Sequence, residues 1–360
     1  MTRNPTISEV AKASGVGRAT VARTLGGYGY VSEATRKRVL TVADDLGYRP
    51  NRLAQSMSTG STRTIGLVIA DVSNPFFGDV VRGASDTAMA NGFDTLLVST
   101  YEDVGSEVAA VKLLVDKRVD GIILSTAVRG MDDIGHLQIA EQHSIPIVLL
   151  DRSVPRVQFD SVIINNRESV RNSISALISH GHTRIGYAWG PPVAERPRWQ
   201  SGLSDAARND LWTDGERMMG YLDALAGEGI ELDIDLVMLG EKNEEHAAAE
   251  VSRMLGLADP PTAFFCTETE ALTGTLSAIR EASLSIPKDV SIMGFDDSSW
   301  AAVFEPPISM IKQPTRELGV RASNLLLERI NGIAEDPRIE ELETEVIWRS
   351  SIGRPLHVEK

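Results

Sequence analysis

The sequence predicts a small all-α helix-turn-helix head joined by a hinge helix to a two-lobed, doubly wound α/β core. Three observations carry this reading. Residues 1–63 hold ten Lys/Arg against four Asp/Glu, a net of +6, whereas the rest of the 360-residue chain holds 26 against 46, a net of −20. The head contains only short helical stretches, but from Thr64 onward apolar runs alternate with amphipathic helices. That alternation occurs in two successive series, as two lobes require. A basic head on an acidic body fits a polyanion-binding module attached to a part that would repel a polyanion.

In the head, Thr6 caps the first helix and Glu9 completes a capping box, while Ile7, Val10 and Ala11 form its apolar face. Ser14-Gly15-Val16 is the turn, and 17–25 the second helix. In VGRATVARTL, at 100° per residue, Arg18, Ala19, Ala22 and Arg23 fall within about 140° of one another, opposite Val21, Thr24 and Leu25. One face packs, and the other presents two arginines around two methyl groups. The third helix runs from Ser32 to Leu46, with Val39, Leu40, Val42 and Leu46 facing inward and Gly47 ending it. Two helices joined by a tight glycine turn, the second with a basic outer face, form the helix-turn-helix pattern. In YRPNRLAQSMSTGSTRT (48–64), Asn51 caps a helix over Arg52–Ser58 that is too short to be stable alone, so it folds only when supported.

The core's first series of strands is 64–70, 94–99, 120–125 and 146–151, with helices near 76–91, 104–117 and 133–143 between them. The second series is 184–189, 235–240, 262–267 and 290–295. Ligands of such sheets bind beyond the carboxyl ends of the strands. Those ends carry Asp71, Ser73, Asn74, Phe77, Ser125, Asp151, Arg152, Glu268 and Asp296. Hydrogen-bond acceptors and planar donors in that proportion suit a small polyhydroxylated or otherwise polar ligand.

Other classes are disfavoured. The N-terminus MTRNPTISEV has no apolar stretch of the secretory type, and no apolar run would span a bilayer, so a cytoplasmic protein without a membrane partner is expected. The single cysteine, Cys266, lies in the apolar TAFFC as a buried thiol. His180 and His182 flank Gly181 without further ligands at metal spacing, GVGRAT (15–20) lacks a third glycine, and no GxSxG or P-loop occurs. Neither catalysis nor a cofactor is expected.

TISEVAKASGVGRATVARTL, YRPNRLAQSM, IGLVIADVSNPFF, GFDD and IKQP together resemble the LacI/GalR family of bacterial transcription regulators, in the family's order and spacing from Thr6 to Ile352. The resemblance implies a homodimer on a near-palindromic, double-stranded DNA operator, with hinge helices in the minor groove. It also implies a core like that of periplasmic sugar-binding proteins, closing on a small sugar-like effector. On the DNA side it points to Arg18, Ala19, Thr20 and Arg23 in the second helix and to Asn51, Arg52, Ala54 and Met57 in the hinge, Met57 standing where the family places a wedging leucine. In the cleft it points to Asn74, Phe76, Phe77, Asp151, Arg152, Arg217, Glu268, Asp296 and Gln313. Asp151 and Asp296 would accept hydroxyl hydrogens, and Arg217 would donate a bidentate pair.

Some positions depart from the family pattern. Gly17 and Ala22 replace common serines, so the head depends more on its arginines. Glu268-Thr269 replaces the usual Asn-Asp pair. The stretch 190–220 is longer than expected, with Trp199 or Trp212 able to stack on a sugar or to lie on a surface excursion. The expected boundaries are 1–50 for the head, 51–63 for hinge and linker, and 64–355 for the core. Lobe one would comprise 64–163 plus 296–320, and lobe two 164–295 plus 321–355. The chain ends soon after the last strand-like segment, LETEVIW, without a heptad helix, so a dimer is expected. The alternative, a sugar-binding protein without a regulatory role, predicts a signal peptide and no basic head.

Overall fold

The computed structural model describes residues 5–26, 28–49, 60–130, 132–154, 156–191, 200–209, 213–333 and 335–355. They fall into two compact units: a head up to Thr64, with Arg118–Asp120, and a body made of the rest.

The head is three helices: α1 (Ile7–Ser14), α2 (Arg18–Gly26) and α3 (Glu33–Asp45). The capping box is in place, with the Glu9 amide donating to the Thr6 hydroxyl and the Thr6 amide donating to the Glu9 carboxylate at 2.6 Å. Gly15 takes φ 68°, a left-handed turn that a side chain would strain, and so redirects the chain from α1 into α2. Val10, Ala11, Val21, Val39 and Ala43 form the core. Leu40 and Leu46 do not face inward as the pattern suggested; they are 47% and 41% exposed. Val39 and Ala43, four residues apart, already supply the inward stripe of α3, and Leu40 is rotated about 100° away from it.

The body begins with β1 (Thr64–Ile69), α4 (Pro75–Ala90), β2 (Asp94–Ser99), α5 (Val104–Asp116), β3 (Gly121–Leu124), α6 (Gly135–Gln142), β4 (Ile147–Leu150) and β5 (Asp160–Ile164). It continues with α7 (Asn166–Ser179), β6 (Ile185–Ala188), α8 (Gln200–Asn209), α9 (Thr213–Gly227), α10 (Glu244–Leu255), β7 (Ala263–Cys266), α11 (Thr269–Glu281), β8 (Ser291–Phe295) and α12 (Ser299–Val303). It ends with β9 (Ser309–Lys312), α13 (Thr315–Ile330), β10 (Ile339–Leu342) and β11 (Glu345–Ile347). One sheet has the order β10-β5-β4-β3-β1-β2 and the other β11-β9-β8-β7-β6. β1 pairs with β3, β3 with β4, β4 with β5, β5 with β10, β6 with β7, β7 with β8 and β8 with β9 in parallel, whereas β11 pairs antiparallel with β9.

These sheets correct the expected lobe boundaries. β9 belongs to the second lobe, whereas α13 and β10 belong to the first. Leu318, Ala322, Leu325 and Leu326 give α13 its buried stripe, and that stripe packs against α4 and on β3, β4 and β5. The segment 235–240 is not a strand: it is a 3₁₀ turn at Ile234–Leu236 followed by a single bridge from Val237 to Tyr187. LETEVIW is not one strand either, because β10 and β11 join different sheets. In 190–220, α8 is no surface excursion, since Leu203 and Ala207 are buried in the main core. Trp199 and Trp212 lie outside the described residues.

The contact of α4 with α13 depends on two glycines. A Cβ on Gly319 would lie 2.1 Å from the Val80 carbonyl oxygen, and one on Gly83 2.2 Å from that of Arg316. Gly319→Ala is expected to destabilise the body by about 1–3 kcal/mol, because the overlap is with backbone and forces the helices apart. This outweighs the roughly 1 kcal/mol that alanine contributes to helix propensity. Urea unfolding followed by circular dichroism measures it, and an unchanged midpoint would show that the helices yield freely.

Candidate effector cleft and DNA-reading helix

On α2, Val21 and Thr24 are buried, and Thr24 donates its hydroxyl to the Thr20 carbonyl at 2.9 Å. Arg18 and Ala19 are exposed on the opposite face, and Arg18 makes no hydrogen bond among the described residues. Arg23 folds back along its own helix, its Nε donating to the Ala19 carbonyl at 3.3 Å. Thr20 is half-buried. The hinge candidates Asn51, Arg52, Ala54 and Met57 lie outside the described residues.

In the body, strand ends from both lobes converge. Asp151 follows β4 and Asp296 follows β8, each at φ 67°, so the two lobes present an aspartate through the same left-handed turn. Burial raises both carboxyls above the usual carboxylate range. For Asp151, Arg152 and Arg217 oppose that rise and Asp296 adds to it; for Asp296, Arg217 and the hydrogen bond from Gln313 oppose it. Arg217 thus acts on an aspartate of each lobe.

Arg217 itself is held from three sides. Its Nε donates to Asn166 Oδ1 at 2.9 Å, its Nη1 to the Thr267 carbonyl at 2.8 Å, and its guanidinium lies 3.8 Å from the Phe295 ring centroid. Two of its five N–H groups are therefore committed to Asn166 and Thr267, which leaves the second hydrogen of Nη1 and both of Nη2 for a ligand. Gln313 Nε2 donates to Asp296 Oδ1 at 2.5 Å. Arg152 ties three loops of the first lobe together: its Nη1 donates to the Thr126 carbonyl, its Nη2 to Glu102 at 2.7 Å, and its Nε lies 3.6 Å from Asp151.

Glu268, after β7, is pushed up to about 7, chiefly by burial, with Lys242 opposing and Asp214 adding to the effect. Lys242 Nζ donates to both oxygens of Asp214, at 2.9 and 2.8 Å, and to Glu268 Oε1. Burial acts on Asp214 too, but Lys242, together with Arg217 and Arg129, outweighs it and leaves that carboxyl below its usual value.

A cavity of about 500 Å³ is lined by Asp151, Arg152, Asn166, Arg167, Thr213 and Glu216, among others. That volume suits a small ligand. Of the nine expected cleft residues, only Asp151 and Arg152 line it. Arg217 does not line it but donates to Asn166, which does. Phe76 and Phe77 pack edge to face at 4.8 Å in the body core, and Asn74 caps α4, its Oδ1 accepting from the Phe76 amide. Buried atoms without a hydrogen-bond partner among the described residues include Ser125 Oγ, Tyr187 Oη, Trp189 Nε1 and Gln313 Oε1. Such atoms are costly in a finished core.

Sequence reasoning missed Glu102, Asn166, Asp214, Lys242 and Thr267. Asn166 follows β5, whose DSVII is too short to stand out. Lys242 follows the segment misread as a strand, and Asp214 looks like an ordinary acidic first-turn residue. The remaining candidates for chemistry are structural. His182 is buried between Thr262 Oγ1 and the Gly353 carbonyl, each at 2.9 Å, and burial lowers its pKa. His180 stacks on Trp348. Asp297 pairs with both terminal nitrogens of Arg349. Cys266 is buried against Thr275, its thiol pushed up to about 12 by burial. No group of three His, Cys, Asp or Glu suited to a metal occurs among the described residues.

The family model for periplasmic binding proteins and the sugar-binding domain of the LacI family matches residues 62–356, and that for bacterial regulatory proteins of the lacI family matches residues 6–51. The chain belongs to the LacI family. The LacI-family chain is 30% identical to the HTH-type transcriptional repressor PurR of Aliivibrio salmonicida (strain LFI1238), over 97% of this chain and 99% of that one. It is also 30% identical to the solved complex of the transcriptional regulator CelR with cellobiose, with a TM-score of 0.69, covering 97% of this chain and 100% of that one. The lac repressor dimer bound to operator and the anti-inducer ONPF shares the fold, with a TM-score of 0.80 at 24% identity, covering 97% of this chain and 99% of that one. This LacI-family member is a DNA-binding transcription regulator and not an enzyme. None of its described helices is long and apolar enough to cross a membrane.

Proposed function

We propose that the chain is a cytoplasmic repressor that binds a near-palindromic operator as a homodimer and is controlled by a small, sugar-like effector in the cleft between its lobes. The observation that carries this reading is the convergence of Asp151 from one lobe with Arg217 and Asp296 from the other, Asp151 itself lining a cavity of about 500 Å³. One buried and one partly buried aspartate that accept from hydroxyls, and an arginine held so that N–H groups of Nη1 and Nη2 remain to donate, match a polyol. The relatives support the same reading: one carries the name of a repressor, another was solved with cellobiose.

The proposed division is a DNA-binding domain over 1–50, a hinge over 51–63 and an effector core over 64–355, close to the spans matched by the two family models. Arg18, Ala19, Thr20 and Arg23 read bases from α2, and Asn51, Arg52, Ala54 and Met57 act in the hinge. The effector set is Asp151, Arg152, Arg217, Glu268, Asp296 and Gln313, with Asn74, Phe76 and Phe77 shaping the wall from behind. Dimerisation is assigned to the open edge at β2, where Leu96 and Leu97 are exposed, as are Met89 of α4 and Val108 of α5 in the same lobe.

A thermal-shift screen of sugars, sugar derivatives and nucleobases tests the cleft. A sugar-like compound is expected to raise the melting temperature of the parent but not of Asp296→Ala, and to change operator binding. Stabilisation by nucleobases alone would overturn the sugar-like assignment.

A further inference from the structure

The cations around this cleft are already matched by carboxylates. Lys242 spends its ammonium on Asp214 and Glu268. Arg152 is paired with Glu102 and lies against Asp151. Arg217 is fixed by two uncharged oxygens and a ring, and its charge acts on Asp151 and Asp296. Arg129, from the loop after β3, acts on Asp214 of the opposite lobe. Four cations thus face five carboxylates, and the two further arginines that line the cavity, Arg167 and Arg171, are paired with Asp223 and Glu168, so an anionic ligand would enter a site whose positive charge is already spoken for. Removing a dianion from water is repaid only where cations are available to receive it.

Glu268 is the place where the chain enforces this. It stands at the N-cap of α11, yet its side chain makes no capping hydrogen bond. The carboxylate instead turns to Lys242, whose other face is held by the nearly inaccessible Asp214. Lys242 and Glu268 keep 28% and 27% of their side-chain surface exposed, so the pair is reachable by a ligand while Asp214 is not.

We propose that the Asp214–Lys242–Glu268 triad is a specificity wall: it neutralises the lysine that would otherwise capture a phosphate or carboxylate, and so restricts the effector to uncharged molecules. This rests on the effector-cleft reading above. It excludes sugar phosphates, sugar acids and nucleotides as effectors and retains neutral mono- and disaccharides and their uncharged derivatives. Glu268→Gln keeps the shape of the wall but releases part of Lys242, which then becomes an anion site beside Arg217.

The test uses the full-length protein and sulfate, a dianion that does not titrate near neutral pH, at constant ionic strength maintained with chloride. Sulfate is expected to leave the melting temperature of the parent unchanged, to raise that of Glu268→Gln, and to lose this effect in Lys242→Met/Glu268→Gln. Calorimetry with glucose and glucose 6-phosphate is the second arm: Glu268→Gln should improve affinity for the phosphate by about tenfold or more relative to the parent. Sulfate binding to the parent as tightly as to Glu268→Gln would overturn the proposal, as would a sulfate response that survives loss of Lys242. The sulfate arm needs no cognate sugar. If the sugar screen fails while sulfate behaves as expected, the sugar-like reading falls and the triad stands; the reverse pattern sinks the triad alone.

Discussion

Replacing Arg217 with methionine is expected to weaken the effector response and to destabilise the body by about 3–5 kcal/mol, the usual cost of deleting one member of a buried charge network. Arg217 is buried, and its loss leaves Asn166 Oδ1 and the Thr267 carbonyl without their donors and Asp151 and Asp296 without the cation that both share. Methionine fills much of the volume, so the loss is electrostatic more than steric.

The pH dependence of this defect has a definite sign. Both aspartates already have raised carboxyls from burial, and removing Arg217 raises them further. The folded state then holds protons that the unfolded state has released, so stability declines as pH rises from the ordinary aspartate value through the raised folded one. The defect should therefore be smaller at pH 5 than at pH 7. Urea unfolding by circular dichroism at the two pH values measures this, and an equal loss at both would remove the shared-cation account. Effector affinity, read by calorimetry with a ligand from the screen, should fall about 10- to 150-fold, as expected for a lost charged hydrogen bond of roughly 1.5–3 kcal/mol.

Arg18→Ala is expected to relax sequence discrimination at one base pair of each half-site by about 1–3 kcal/mol, because a guanidinium can donate twice to the O6 and N7 of guanine. Arg18 is exposed at the start of α2 beside Ala19, whose methyl takes little room against a groove floor. Gly17 and Ala22 supply no hydroxyl, so the exposed face of α2 offers few other side chains to read a base. Arg23 must first release the Ala19 carbonyl, which makes Arg18 the better prepared of the two. Fluorescence anisotropy with operator variants at fixed salt separates the outcomes. Loss of preference at one position supports base reading; uniform weakening with a salt slope shallower by about one would make Arg18 a phosphate contact.

Much of this was legible in the chain alone. The capping box of Thr6 and Glu9, the buried face of α2 and strands such as 64–69 and 94–99 depend on neighbours in sequence, and local periodicity reports them directly. The strand ends bearing Asp151 and Asp296 were equally visible, because a long apolar run stops abruptly at a carboxylate. Short strands such as β5 and β9 were not visible, because four or five residues carry too little pattern to outvote their surroundings. The lobe assignment of α13 and β10 failed for a related reason: which sheet an edge strand joins is decided by pairing with residues far away in the chain.

The sequence by itself determined a basic three-helix head, an acidic α/β body, the family and the arginine face of α2, all of which follow from composition and local spacing. Only the tertiary structure decided what those side chains do before a ligand arrives. It spends two nitrogens of Arg217 on Asn166 and Thr267, places Phe76 and Phe77 in the core, and binds Lys242 between Asp214 and Glu268. The partners of Arg217 and Lys242 come from segments 26 to 51 residues apart, and whether a charge is free or already matched depends on that distant pairing.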